Sequence, residues 1–218
     1  MTTKIVMPAY SKLRDILREE IITGKIPAES RITIAEIAQQ HGVSHMPVRE
    51  ALQWLQGEGL IEIIPNKGAR VLPVDAEFIA NVYETRAVIE GLLARSGLRG
   101  FHEDDLWRMQ QRYQEFCTVA AESQIDGIYA GDRRFHLALY EPSRNRPALE
   151  IYNKYTELLL TLRKKYGFSG GRIEAMVEEH AEILAAAEAG DEYRLESVIR
   201  SHAHGGKQDL LDRMTTAS

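Results

Sequence analysis

Four side chains that could hold a metal ion stand where helical periodicity turns them inward. Over residues 124–140 the apolar positions Ile125, Ile128, Tyr129 and Leu139 mark one helix face, and Asp132 and His136 fall on that face one turn apart. His180 sits among Met176, Val177, Ile183 and Leu184, and His202 follows Leu195, Val198 and Ile199 on the same face. A polar side chain on an interior stripe is either satisfied by a partner or kept for function. Three neutral imidazoles and one carboxylate suit zinc first, and also nickel, manganese or iron, with positions left for water or a ligand. Any one of these histidines taken alone is better explained as an ordinary core or interface imidazole. Four together favour a metal, because burying them unpaired carries a summed cost of several kcal/mol. His41, His45, His102 and His204 lack that context and are expected at the surface.

Arginines supply the second kind of chemistry, the recognition of anions. Arg86 interrupts the stripe Ile79, Val82, Tyr83, Ile89 and Leu93, with Glu90 one turn later. This is either an i,i+4 pair at the edge of a bundle, worth about 0.2–0.5 kcal/mol, or a fork for the carboxylate of a small effector beside the metal. Spacing leaves both open. Arg49 lies in the opening turn Ser44-His45-Met46-Pro47-Val48-Arg49 of a helix. Its planar fork can donate two hydrogen bonds to guanine, a pairing worth roughly 1–3 kcal/mol of discrimination. Gln53 shares its face, Ser44 is placed both to cap the helix and to touch phosphate, and Lys67 and Arg70 follow in a hairpin suited to backbone contact. Exposed Arg and Gln fit a merely solvated helix equally well, so spacing alone does not decide for DNA.

The elements that would position these groups fall into two halves. Residues 1–72 read as three helices and a hairpin. Leu13, Leu17 and Ile21 recur at helical spacing before Gly24 and Pro27. Thr33 with Glu36 forms a capping-box pattern ahead of a helix ending at Gly42. A third helix runs from Ser44 to about Glu58 with Val48, Leu52 and Leu55 inward, and 61–64 and 69–71 are strands around Pro65-Asn66-Lys67-Gly68. Leu72-Pro73-Val74-Asp75 is the seam. Residues 73–218 predict six helices, over 76–98, 104–121, 124–140, 147–166, 170–189 and 192–213, broken at Gly100, Ser123, Pro142 to Pro147, Gly167 to Gly171 and Gly190-Asp191. The expected fold is mainly α, a winged helix-turn-helix followed by an antiparallel helical bundle.

Charge agrees with that division of labour. The 218-residue chain carries a net charge of -5, but residues 1–72 hold nine Lys/Arg against eight Asp/Glu and the remainder eighteen against twenty-four. The acidic second half would repel phosphate, so nucleic acid must meet the first. A single Cys117 excludes a disulfide framework within one chain and suits a reducing cytosol. With no apolar stretch of membrane-spanning length and no signal-type N-terminal segment, a cytoplasmic location away from membranes is expected.

The run Val43-Ser44-His45-Met46-Pro47-Val48-Arg49-Glu50-Ala51-Leu52, then Leu55, Glu58-Gly59-Leu60 and Pro65 through Val71, resembles the signature of the GntR family of bacterial transcription regulators. It departs where the family most often shows Ser-Arg-Thr-Pro-Val-Arg-Glu: His45 replaces Arg and Met46 replaces Thr, while Ala35 stands where the FadR type often has a DNA-contacting Arg. Base reading then rests mainly on Arg49. Tyr83 through Glu90, Asp132 with His136, His180 and His202 are similar to the FCD effector domain of the FadR subfamily, in its shorter VanR-like branch. The resemblance implies a metal held by Asp132, His136, His180 and His202, a small organic acid as effector near Arg86, and repression of transcription. A homodimer would impose its two-fold symmetry on a palindromic operator.

Two other classes bear on the same residues. A metalloenzyme would need a further acid or base at matching spacing, and nothing resembles the paired Glu-x-x-His of di-iron bundles. A helical protein-interaction module would need no metal at all.

Overall fold

The computed structural model describes residues 9–122 and 124–217. The chain divides into two compact units, one ending at Asp75 and one beginning at Ala76. Each is built from the stripes the sequence carries.

In the first unit, α1 (Ala9–Thr23) buries Leu13, Leu17 and Ile21. Helix α2 (Ile34–His41) opens with the full capping box: Glu36 N–H donates to Thr33 Oγ1 and Thr33 N–H to Glu36 Oε2, and Gly42 closes it at φ 64°. Helix α3 (His45–Gly57) buries Val48, Ala51, Leu52 and Leu55. Ser44 holds its N-cap position in extended backbone but its side chain makes no capping hydrogen bond, against expectation. A bidentate pair from Arg18 to Glu58, at 2.8 and 2.6 Å and buried on both sides, ties α1 to the end of α3.

The wing is a three-stranded antiparallel sheet rather than a lone hairpin. Besides β2 (Ile61–Ile64) and β3 (Gly68–Val71) it contains β1 (Arg31–Ile32), in the order β1-β3-β2. Arg31 pairs with Arg70 and Ile32 with Ala69, while Ile61 pairs with Val71 and Ile64 with Gly68. Gly68 is required here: its φ is 96°, and a Cβ would lie 2.1 Å from the Ile32 carbonyl oxygen.

The second unit contains α4 (Ala76–Arg99), α5 (Asp105–Glu122), α6 (Ile125–Tyr140), α7 (Arg146–Tyr166), α8 (Arg172–Glu188) and α9 (Glu192–Thr216), with a 3-10 turn at Glu141–Ser143. Asn145 caps α7, accepting from Ala148 N–H. Gln124 holds the N-cap of α6; the break expected at Ser123 lies outside the described residues. Leu93, Met109, Phe135, Leu139, Ile183 and Ile199 meet in the main core.

Helix α4 approaches the end of α6 closely enough that a Cβ on Gly97 would lie 1.9 Å from the Leu139 carbonyl oxygen. Gly97→Ala is therefore expected to lower stability by about 2 kcal/mol, the overpacking cost outweighing the roughly 1 kcal/mol gained in helix propensity. Gly127→Ala, whose Cβ would meet only Gln124 Cβ at 3.8 Å, is expected to raise it. Urea denaturation of both variants checks the opposite signs.

Candidate metal centre and nucleic-acid interface

Three helices of the second unit bring Asp132, His136, His180 and His202 together. One ligating atom from each lies within 4.8 Å of the others. Nε2 of His136, His180 and His202 stands 3.5, 3.2 and 3.8 Å from Asp132 Oδ1, and the Nε2 atoms of His136 and His202 are 3.3 Å apart. Ligands about 2.0–2.1 Å from a zinc ion would be separated by about 3.0–3.4 Å along octahedral or tetrahedral edges; the separations of 3.2 and 3.3 Å match, and those of 3.5 and 3.8 Å would have to close slightly around an ion. Asp132 Oδ1 and His180 Nε2 are buried and, although 3.2 Å apart, neither makes a hydrogen bond. Converging polar atoms without partners are costly unless something else satisfies them, and a cation would.

The protonation states suit that role. Burial pushes the His180 imidazole down to about 3, against the pull of Asp132, so the ring is neutral near neutral pH. Burial works against the Asp132 carboxylate, but the imidazoles of His136 and His180 outweigh it and hold the group well below the usual range.

Each imidazole is held differently. The O–H of Tyr140 donates to Glu90 Oε2 at 3.0 Å, which leaves its oxygen to accept from His136 Nδ1 at 3.2 Å. His202 Nδ1 lies 2.6 Å from Glu179 Oε2, and Arg172 grips the same carboxylate through both Nη atoms at 2.5 and 2.8 Å. Burial raises the Glu179 pKa, but the His202 and Arg172 hydrogen bonds more than reverse this, leaving it at about 2. His180 Nδ1 has no hydrogen-bond partner; its ring packs on Phe135 and Phe116, at centroid distances of 4.5 and 4.3 Å. Sequence reading missed Tyr140, Glu179 and Arg172.

Arg86 does not sit at a bundle edge. It is buried, its Nε donates to Glu90 Oε1 at 2.6 Å, and its guanidinium faces the rings of Tyr83 and Tyr152. Burial works against the cation, yet Glu90 together with Tyr152, Tyr83 and Tyr129 outweighs it and Arg86 stays charged. Arg86, Arg172 and Arg163 line one small cavity of about 40 Å³ together with Asp132 and His202. Both Nη atoms of Arg163 are engaged, by Asp209 and by the carbonyl oxygens of Gly167 and Gly206, while its buried Nε has no hydrogen-bond partner.

In the first unit Ser44, His45 and Met46 are exposed at the start of α3, and Arg49 and Gln53 are exposed one and two turns on. A groove of about 520 Å³ between α3 and the wing is lined by Arg49, Gln53, Lys67 and also Arg31, which sequence reading missed. Arg31 Nε donates to the Lys67 carbonyl at 2.7 Å, holding the wing tip. Arg70 is exposed but paired, 3.1 Å from Glu29 and 2.8 Å from Glu62. Of the histidines expected at the surface, His45, His102 and His204 are there. His41 is not: it is half-buried, with Nε2 covered and without a partner. Among the described residues no helix is long and apolar enough to cross a membrane.

Residues 9–71 match the family described as bacterial regulatory proteins, gntR family, and residues 81–205 match the FCD domain. A probable D-xylose utilization operon transcriptional repressor of Paenarthrobacter nicotinovorans is 26% identical over 200 residues, 88% of this chain and 84% of its own. The E. coli protein McbR/YncC superposes with a TM-score of 0.68 at 18% identity, covering 98% of this chain and all of the other. The metal-free FCD domain of TM0439 superposes with a TM-score of 0.55 at 18% identity, covering 66% of this chain and 99% of that one.

Proposed function

Because the chain belongs to the GntR family of bacterial regulatory proteins and carries an FCD domain, we propose that it represses transcription as a homodimer on a palindromic operator, released or retained according to a small organic acid bound beside a metal. It is a transcription regulator with a DNA-binding helix-turn-helix, not an enzyme. The observation that carries the finer reading is the convergence of three imidazoles and one carboxylate next to a cavity lined by arginines.

Asp132, His136, His180 and His202 would hold the metal, zinc foremost, which when bound supplies a Lewis-acid position for a carboxylate. Nε of Arg86 is taken by Glu90, so its terminal nitrogens are the part available to an acidic effector, with Glu90 fixing the angle of the fork. The cavity of about 40 Å³ admits little more than a water or two, so effector binding would require α4, α8 and α9 to move apart. A ligand that binds the opened arrangement better shifts the population toward it, and effector and operator then alter each other's affinity by the same factor.

On the DNA side Arg49 would read a base, with Gln53 beside it, Ser44, His45 and Met46 at the groove edge, and Lys67 on phosphate. Arg70 contributes least, because Glu29 and Glu62 already neutralise it. The test selects duplexes from a random pool with the zinc-loaded protein, then titrates small hydroxycarboxylic acids against the selected complex. A two-fold symmetric consensus and an acid that shifts affinity support the reading; asymmetric or absent selection sinks the operator claim, and a complex indifferent to every acid sinks the effector claim. In the same assay Lys67→Ala is expected to lower the slope of log affinity against log salt by about one per protomer, while Arg70→Ala leaves it nearly unchanged.

A further inference from the structure

We infer that Arg172 and Glu179 form a positioning pair for His202 and thereby set the affinity of the centre for its metal; the inference rests on the metal reading above. Glu179 sits between the two: Oε2 faces His202 Nδ1 at 2.6 Å and Arg172 Nη2 at 2.8 Å, and Oε1 accepts from Arg172 Nη1 at 2.5 Å. With a carboxylate as its partner, Nδ1 of a neutral His202 must carry the proton, which leaves the Nε2 lone pair toward Asp132 and His136. A carboxylate behind a metal-bound imidazole fixes ring orientation and raises its basicity.

Arg172 is what keeps the carboxylate in place. It lies two helical turns before Glu179 on the same face of α8 and is itself buried, so its fork spans the gap to both carboxylate oxygens. Helix α9 makes room for the pair. A Cβ on Gly205 would stand 2.9 Å from Glu179 Oε1 and 3.1 Å from Arg172 Nη1. Two consecutive glycines inside a helix each cost about 1 kcal/mol relative to alanine. Gly205 is accounted for by this pair and Gly206 by Tyr83, whose Cε1 a Cβ would meet at 3.1 Å.

The substitution that isolates the role is Glu179→Gln. An amide replaces one of the two oxygens by NH2: on the Oε1 side it faces the Arg172 Nη1 donor and breaks the fork, and on the Oε2 side it faces His202 Nδ1 and misplaces its proton. Zinc alone, competed against a chromophoric chelator at fixed pH, reads the affinity. In the zinc-loaded protein the His202 Nδ1 proton reads the geometry, as a hydrogen-bonded resonance slow to exchange. Glu179→Gln is expected to raise the zinc dissociation constant about 10–100-fold and to abolish that resonance. Arg172→Lys, which keeps the charge and loses the fork, is expected to raise it by less, and exposed Glu178→Gln to leave it unchanged. Wild-type affinity in Glu179→Gln with the resonance intact overturns the pair alone. Wild-type protein that takes up no zinc overturns the metal reading and the pair with it. Should Glu179→Gln fail to fold, unchanged affinity in Arg172→Lys overturns the pair.

Discussion

Asp132→Ala protein is expected to lose the rise in melting temperature that zinc gives the wild type. At a thousandfold excess of zinc over its dissociation constant, binding to the folded state alone stabilises by about 4.1 kcal/mol. For a protein of this size that corresponds to roughly 8–16 °C. Asp132 is central to the effect because its Oδ1 lies within 3.8 Å of the Nε2 atom of all three imidazoles. Without metal the effect is smaller. His136 and His180 hold the Asp132 carboxylate well below its usual range despite burial, so the fold stabilises the charged form and its loss costs stability near neutral pH. The metal-free variant should melt below metal-free wild type, by less than the zinc-dependent difference. Scanning calorimetry with and without a chelator separates these outcomes. A variant that zinc still stabilises fully would place the metal elsewhere, and a variant destabilised equally in both conditions would make Asp132 a structural residue.

What periodicity delivered and what it missed have different physical causes. Stripes such as Leu13, Leu17 and Ile21, or Leu195, Val198 and Ile199, follow from the need to bury one helix face, so they point to the interior without knowledge of partners. Asp132, His136, His180 and His202 stood out because polar side chains on those stripes break the pattern. The groups that hold the imidazoles break no pattern. Tyr140, though one turn from His136 on α6, reads as an ordinary core aromatic, and Glu179 as one acid in the Glu178-Glu179 run; the contacts that give them away, to Glu90 and His202, cross between helices over 50 and 23 residues. Arg86 with Glu90 was legible as a pair, but only packing decides that it is buried. Strand β1 is two residues long, too short for any alternation to register, and its Arg31 went unseen with it. One overlooked signal was available: Gly205-Gly206 inside a helical run marks a close approach of something to α9.

The asymmetry between charged residues on the DNA-binding unit makes a second result the more informative one. Arg49→Ala is expected to weaken binding to the selected operator by about 10–100-fold per protomer, from the roughly 1–3 kcal/mol that a bidentate arginine–guanine contact supplies. Binding to random duplex should fall far less, since a sequence-independent phosphate contact is worth only its share of counterion release. Lys67→Ala should do the reverse, weakening both duplexes alike. Arg49 is exposed at the start of α3, on the groove it shares with Gln53 and the wing tip, and no carboxylate of the described residues engages it. Arg70, in contrast, already spends its fork on Glu29 and Glu62. Arg49→Lys is expected to fall near the alanine variant on operator DNA, because an ammonium cannot present two parallel donors to one base edge. Anisotropy titrations of the three variants against operator and scrambled duplex at two salt concentrations test this. Equal losses on both duplexes for Arg49→Ala would reduce that guanidinium to a phosphate anchor and leave base reading to the remaining residues of α3.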